Sequence, residues 1–64
     1  MRVSMRAART NTGLTQEAVA VALNVTKKTI SSWENGKTLP TLDKIEPICK
    51  LYGTKYDDIE WNKR

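Results

Sequence analysis

Apolar side chains recur along this chain at intervals of three and four residues, the spacing of helices with one buried stripe. Val19, Ala20 and Leu23 share one such face, Ile30 and Trp33 another, and Leu42, Ile45, Ile48, Cys49 and Tyr52 a third. No segment alternates apolar and polar residues with period two, so strands are not expected. Start and stop signals divide the pattern. Ser4 is placed to cap a helix over residues 5–10, closed by Asn11-Thr12-Gly13. Thr15 precedes a helix over 16–23, with Glu17 at the positive end of its dipole. Asn24, a residue that tolerates the left-handed region, makes a tight turn. Thr26 then caps a third helix from Lys27 to about residue 35, ended by Gly36.

Leu39-Pro40 is an extended link. Thr41 caps a fourth helix to about residue 52, stopped by Gly53, and a short fifth helix is expected over about 56–61. The expected fold is therefore all-α, a compact bundle of five short helices forming one domain. Pro47 falls inside the fourth helix, where it removes a hydrogen bond and crowds the previous turn. The helix either kinks there or becomes regular only beyond Thr41; the unbroken apolar spacing favours a kink. The expected core gathers Val19, Ala20, Leu23, Val25, Ile30 and Trp33, closed by Leu14, Leu42, Ile45, Ile48, Leu51, Tyr56 and Ile59. Ala20 is small enough to let two helices cross closely.

Composition narrows the function. Sixty-four residues leave no room for a deep catalytic cleft beside a core. With no His, no metal-ligand cluster and no Gly-rich phosphate loop, an enzyme, a metal and a cofactor are not expected. Cys49 is alone, on a face expected to be buried, and the N-terminus lacks a secretory signal, which points to a reducing cytoplasm. No apolar stretch approaches the length of a membrane span. The net charge of +4 is placed unevenly. Residues 1–40 hold six basic and two acidic side chains, residues 41–64 five of each. A local positive field suits a polyanion, although charge alone also fits a merely soluble surface.

Residues 16–33 thus form helix, short turn, helix. With Leu14-Thr15-Gln16-Glu17, Leu23-Asn24-Val25-Thr26, Thr29-Ile30-Ser31 and Trp33-Glu34-Asn35-Gly36-Lys37 in order, the chain resembles the phage Cro and repressor (XRE-type) helix-turn-helix family over about residues 5–60. Pro40, Leu42, Gly53 and Asp57-Asp58-Ile59 fall where that family places its closing helices. Asn24 stands where the family's turn usually has Gly, and Ala18, Val21 and Ala22 occupy an outer face that is usually charged.

The resemblance implies a transcriptional regulator of double-stranded DNA in the cytoplasm of a prokaryotic or phage-infected cell. Its third helix would enter the major groove, where the first residues of such a helix meet base edges. Lys27, Lys28, Ser31 and Ser32 are the candidate base readers, Lys28 and Ser32 foremost; the alternative is that both lysines only neutralise phosphate. Phosphate contacts are expected from Gln16 at the N-terminus of the second helix, from Thr26 and Thr29, from Arg6, and, by the resemblance, from Asn35 and Lys37. The resemblance also implies an ion pair between Arg9 and Glu34.

A homodimer, at least on DNA, is expected because one such module covers only a few base pairs. The loop before the fourth helix, with Tyr56, Ile59 and Trp61, is the candidate surface, unless Trp61 simply packs beneath the last helix. No small-molecule ligand and no membrane partner are expected. A helix-turn-helix serving only as a protein-interaction module is the rival reading, and the basic, hydroxyl-rich face of the third helix speaks against it.

Overall fold

The computed structural model of the chain describes residues 2–61. Four α-helices carry it: α1 (Met5–Asn11), α2 (Gln16–Leu23), α3 (Lys27–Glu34) and α4 (Leu42–Tyr52). Side-chain caps start three of them. Ser4 Oγ accepts from the Ala7 N–H at 3.0 Å, Thr15 Oγ1 from Ala18 at 3.1 Å and Thr26 Oγ1 from Thr29 at 3.1 Å, each satisfying a donor the helix leaves unpaired. Thr41 departs from this scheme, because its hydroxyl donates to the Asp43 carboxylate instead of accepting from the backbone.

The turn between α2 and α3 is a Schellman closure. Asn24 sits at φ 59°, ψ 45°, its N–H donates to Val21 O at 3.2 Å and that of Val25 to Ala20 O at 2.9 Å. These two bonds satisfy carbonyls that would otherwise be orphaned. The same pair of bonds closes α3 at Gly36 and α4 at Gly53. The pair recurs after α1 at Gly13, so Asn24 does what the other three helices assign to glycine.

The fifth helix is not formed. Residues Tyr56–Asp58 make a single turn of 3-10 helix, and Ile59–Glu60 are a strand, β2. β2 pairs in parallel with β1 (Val3–Ser4), Val3 opposite Ile59 and Ser4 opposite Glu60. Two-residue strands leave no alternation to detect, and their pairing joins positions more than fifty residues apart. The architecture is mainly helical with this small strand pair, rather than all-α.

The core is built by Met5 and Ala8 of α1, Val19, Ala20 and Leu23 of α2, Ile30 and Trp33 of α3, Ile48 and Tyr52 of α4, and Ile59 of β2. Val3, Leu14, Val25, Leu51 and Trp61 pack around it. Two expected core residues are outside: Leu42 is 87% exposed and Tyr56 54%. Leu42 is the first residue of α4, and since helical side chains lean toward the N-terminus, it projects off the helix end. Pro47 lies inside α4, which runs through it from Leu42 to Tyr52.

Candidate nucleic-acid interface

Ile30 and Trp33 fix the rotation of α3 by pointing into the core, with Ile30 fully buried. The opposite side of the helix begins with Lys27 and Lys28, both exposed, and continues with the half-buried Ser31 and Ser32. Because side chains three and four apart stack on one face, Lys27, Ser31 and Asn35 form one stripe and Lys28 and Ser32 another.

The inner end of α3 is anchored by Glu34, whose side chain is fully buried. A carboxylate in that position must be met by donors, and three side chains from two other helices supply them. Arg9 Nε donates to Oε2 at 2.6 Å and Arg9 Nη2 to Oε1 at 3.2 Å. Gln16 Nε2 donates to Oε1 at 3.0 Å, and Arg6 Nε lies 3.5 Å from the same oxygen. Arg9 Nη1 also donates to the Leu14 carbonyl at 2.9 Å. Burial works against ionisation of Glu34, but the hydrogen bonds from Arg9, Gln16 and Arg6 and the charge of Arg9 outweigh it, so its pKa lies below the ordinary value. The bond to Glu34 outweighs burial at Arg9 too and raises its pKa. Tyr52, buried close by, has its hydroxyl pushed up to about 12 by burial and by the Glu34 charge, and its Oη finds no hydrogen-bond partner among the described residues.

The candidate contacts are thus not all equally free. Lys27, Lys28 and Lys37 are exposed. Gln16 uses part of its amide on Glu34, which leaves its second N–H for an anion. Arg6 Nη2 donates to Asn35 Oδ1 at 3.1 Å, and Asn35 Nδ2 to Ser31 Oγ at 3.3 Å. Ser32 Oγ shares a 2.9 Å hydrogen bond with Thr38 Oγ1, and Thr26 Oγ1 one of 2.9 Å with Thr29 Oγ1. The Ser32–Thr38 bond was not visible in the sequence because the turn after α3 creates it, and the Arg6–Asn35 bond was not because it joins α1 to the end of α3 across the fold.

Of the residues assigned to a dimer surface, Ile59 is overturned: at 2% exposure it belongs to the core of its own chain. Trp61 donates its indole N–H to the Tyr56 carbonyl at 2.9 Å, and the two rings stack with centroids 5.5 Å apart. Trp61 also packs against the core, whereas Tyr56 stays exposed. Leu39 and Leu42, around the loop before α4, are the exposed apolar residues in that region.

Among the described residues no helix is long and apolar enough to cross a membrane. The helix-turn-helix family pattern matches residues 5–59. An HTH-type transcriptional activator, BcrR of Enterococcus faecalis, is 37% identical over 51 residues, 80% of this chain and 25% of that protein. The 26 kDa repressor protein of Escherichia phage HK022 is 46% identical over 39 residues, 61% of this chain and 17% of the repressor. The chain therefore spans only a quarter or less of either relative's length. The uncharacterized HTH-type transcriptional regulator YgzD of Bacillus subtilis (strain 168) is 30% identical over 61 residues, covering 95% of this chain and 92% of that protein. No solved structure matches the chain. With α2, the Asn24 turn and α3 in place and the match running through 5–59, the chain belongs to the helix-turn-helix family of transcriptional regulators, of the phage-repressor (XRE) type.

Proposed function

We propose that this chain is a sequence-specific regulator that binds double-stranded DNA, inserting α3 into the major groove of a two-fold operator. One observation carries the reading: α3 buries Ile30, Trp33 and Glu34 while Lys27 and Lys28 stand exposed at its start. Lysine donates to guanine O6 and N7, and a helix of this width fits the groove. Gln16, Thr26, Thr29, Arg6, Asn35 and Lys37 would hold phosphates on either side. Repression by occluding a promoter is the mode this favours, as the name of the phage relative suggests.

Selection from a random DNA library, followed by binding titrations over a range of salt, tests it. Lys28→Ala is expected to cost about 1–3 kcal/mol on the selected site and little on random DNA, whereas Lys37→Ala weakens both and lowers the salt slope by about 1. Failure to select any site overturns sequence-specific binding. Equal losses on every sequence for both variants overturn the division of roles.

A homodimer on DNA follows from the size of the module, because half-sites about one helical turn apart need two copies. Leu39 and Leu42 are the residues this reading assigns to the contact, in place of Ile59.

A further inference from the structure

The Arg6–Asn35–Ser31 link has a direction. Arginine only donates, so the atom of Asn35 facing Arg6 Nη2 at 3.1 Å has to be the amide oxygen. The other end of the same amide, Nδ2, then faces Ser31 Oγ at 3.3 Å and donates to it. Arg6 is itself held by the buried Glu34 carboxylate through Nε. Ser31 must therefore accept on its inner side, and its single proton stays free on the outer side. Lys27, one turn earlier on the same stripe, is another donor that cannot accept.

Resting on the DNA-binding reading above, we propose that Arg6 and Asn35 are positioning residues that set the hydrogen-bonding polarity of Ser31. Through them α3 presents Ser31 Oγ–H and Lys27 Nζ together to a base edge rich in acceptors, as guanine is with O6 and N7. A cytosine amino group facing the same pair meets donors instead. Arg6 and Asn35 contribute to sequence choice without touching a base.

The measurement is relative base preference at each operator position, from library selection with the full chain and its variants. Removing the hydroxyl in Ser31→Ala lowers preference for an acceptor base at one position by about three- to tenfold, the worth of one hydrogen bond. Asn35→Asp replaces the donor by a second acceptor, so the Ser31 proton turns inward and only lone pairs face out. Preference at that same position then disappears or reverses toward an amino group. The added negative charge weakens binding to all sequences alike, which leaves relative preference as the readout. If Asn35→Asp binds too weakly to select, Asn35→Ala takes its place and must relax the same position. Base preferences unchanged from the parent in Ser31→Ala, or in the Asn35 variant, overturn the proposal while the DNA-binding reading stands. A parent chain that selects no sequence overturns both.

Discussion

Glu34 shows how one buried carboxylate ties the helix proposed to meet DNA to the rest of the fold. Its carboxylate joins α1 and α2 to the end of α3 through Arg9, Arg6 and Gln16. Removing it leaves the largely buried Arg9 guanidinium without its partner, so Glu34→Ala is expected to destabilise by about 3–5 kcal/mol, whereas the exposed Lys28→Ala changes little. Equal melting temperatures for the two variants would contradict the structure. The pH dependence has a definite sign. A folded pKa below the unfolded one binds fewer protons in the folded state, so the linked stability is complete above the ordinary carboxylate range and lost as pH falls through the folded value. Between about pH 5 and 3, the melting temperature of the parent should therefore fall more steeply than that of Glu34→Gln. Parallel curves would show that Glu34 is not held in its ionised form.

Each element is bounded by local chemistry, and most boundaries follow from it. Ser4, Thr15 and Thr26 accept from the first turns they precede, and Asn24, Gly36 and Gly53 close α2, α3 and α4 in the left-handed or positive-φ region. Pro47 is the exception, a helix breaker carried within α4. It leaves the Asp43 carbonyl without its helical donor, and its exposed position means that nothing in the core requires it. Pro47→Ala is expected to raise stability by about 1–3 kcal/mol, the smaller value if the lost rigidity of the unfolded chain offsets part of the gain. Thermal denaturation decides it, and a lower melting temperature would mean that Pro47 stabilises α4 more through the rigidity it gives the chain than it costs in the lost hydrogen bond.

At the scale of the molecule, the two ends of the described chain are joined by the β1–β2 pair, with Ile59 inserted beneath it. A domain this small has little stability to lose. Ile59→Ala, which opens a cavity in the core, should cost about 2–5 kcal/mol and leave much of the population unfolded at ordinary temperature. Leu42→Ala, at an exposed helix end, should leave the melting temperature nearly unchanged and instead weaken the paired occupancy of a two-fold site. Analytical ultracentrifugation with and without operator DNA separates these outcomes. A Leu42→Ala complex as stable and as dimeric as the parent would remove that residue from the proposed contact.

The sequence alone determined the four helices, their turns and the inward set of α2 and α3, because capping, periodicity and left-handed closure act over a few neighbouring residues. The helix-turn-helix and the exposure of Lys27 and Lys28 were legible for that reason. Tertiary structure decided the strand pair in place of a fifth helix, the withdrawal of Ile59 into the core, the projection of Leu42 out of it, and the additional donors that Gln16 and Arg6 bring to Glu34. It also decided the partner of Ser32 and the contact of Arg6 with Asn35. Those outcomes depend on which side chains meet across eighteen or more residues, or around the turn after α3, and no local pattern carries that information: contacts between distant residues are fixed only once the whole core has closed.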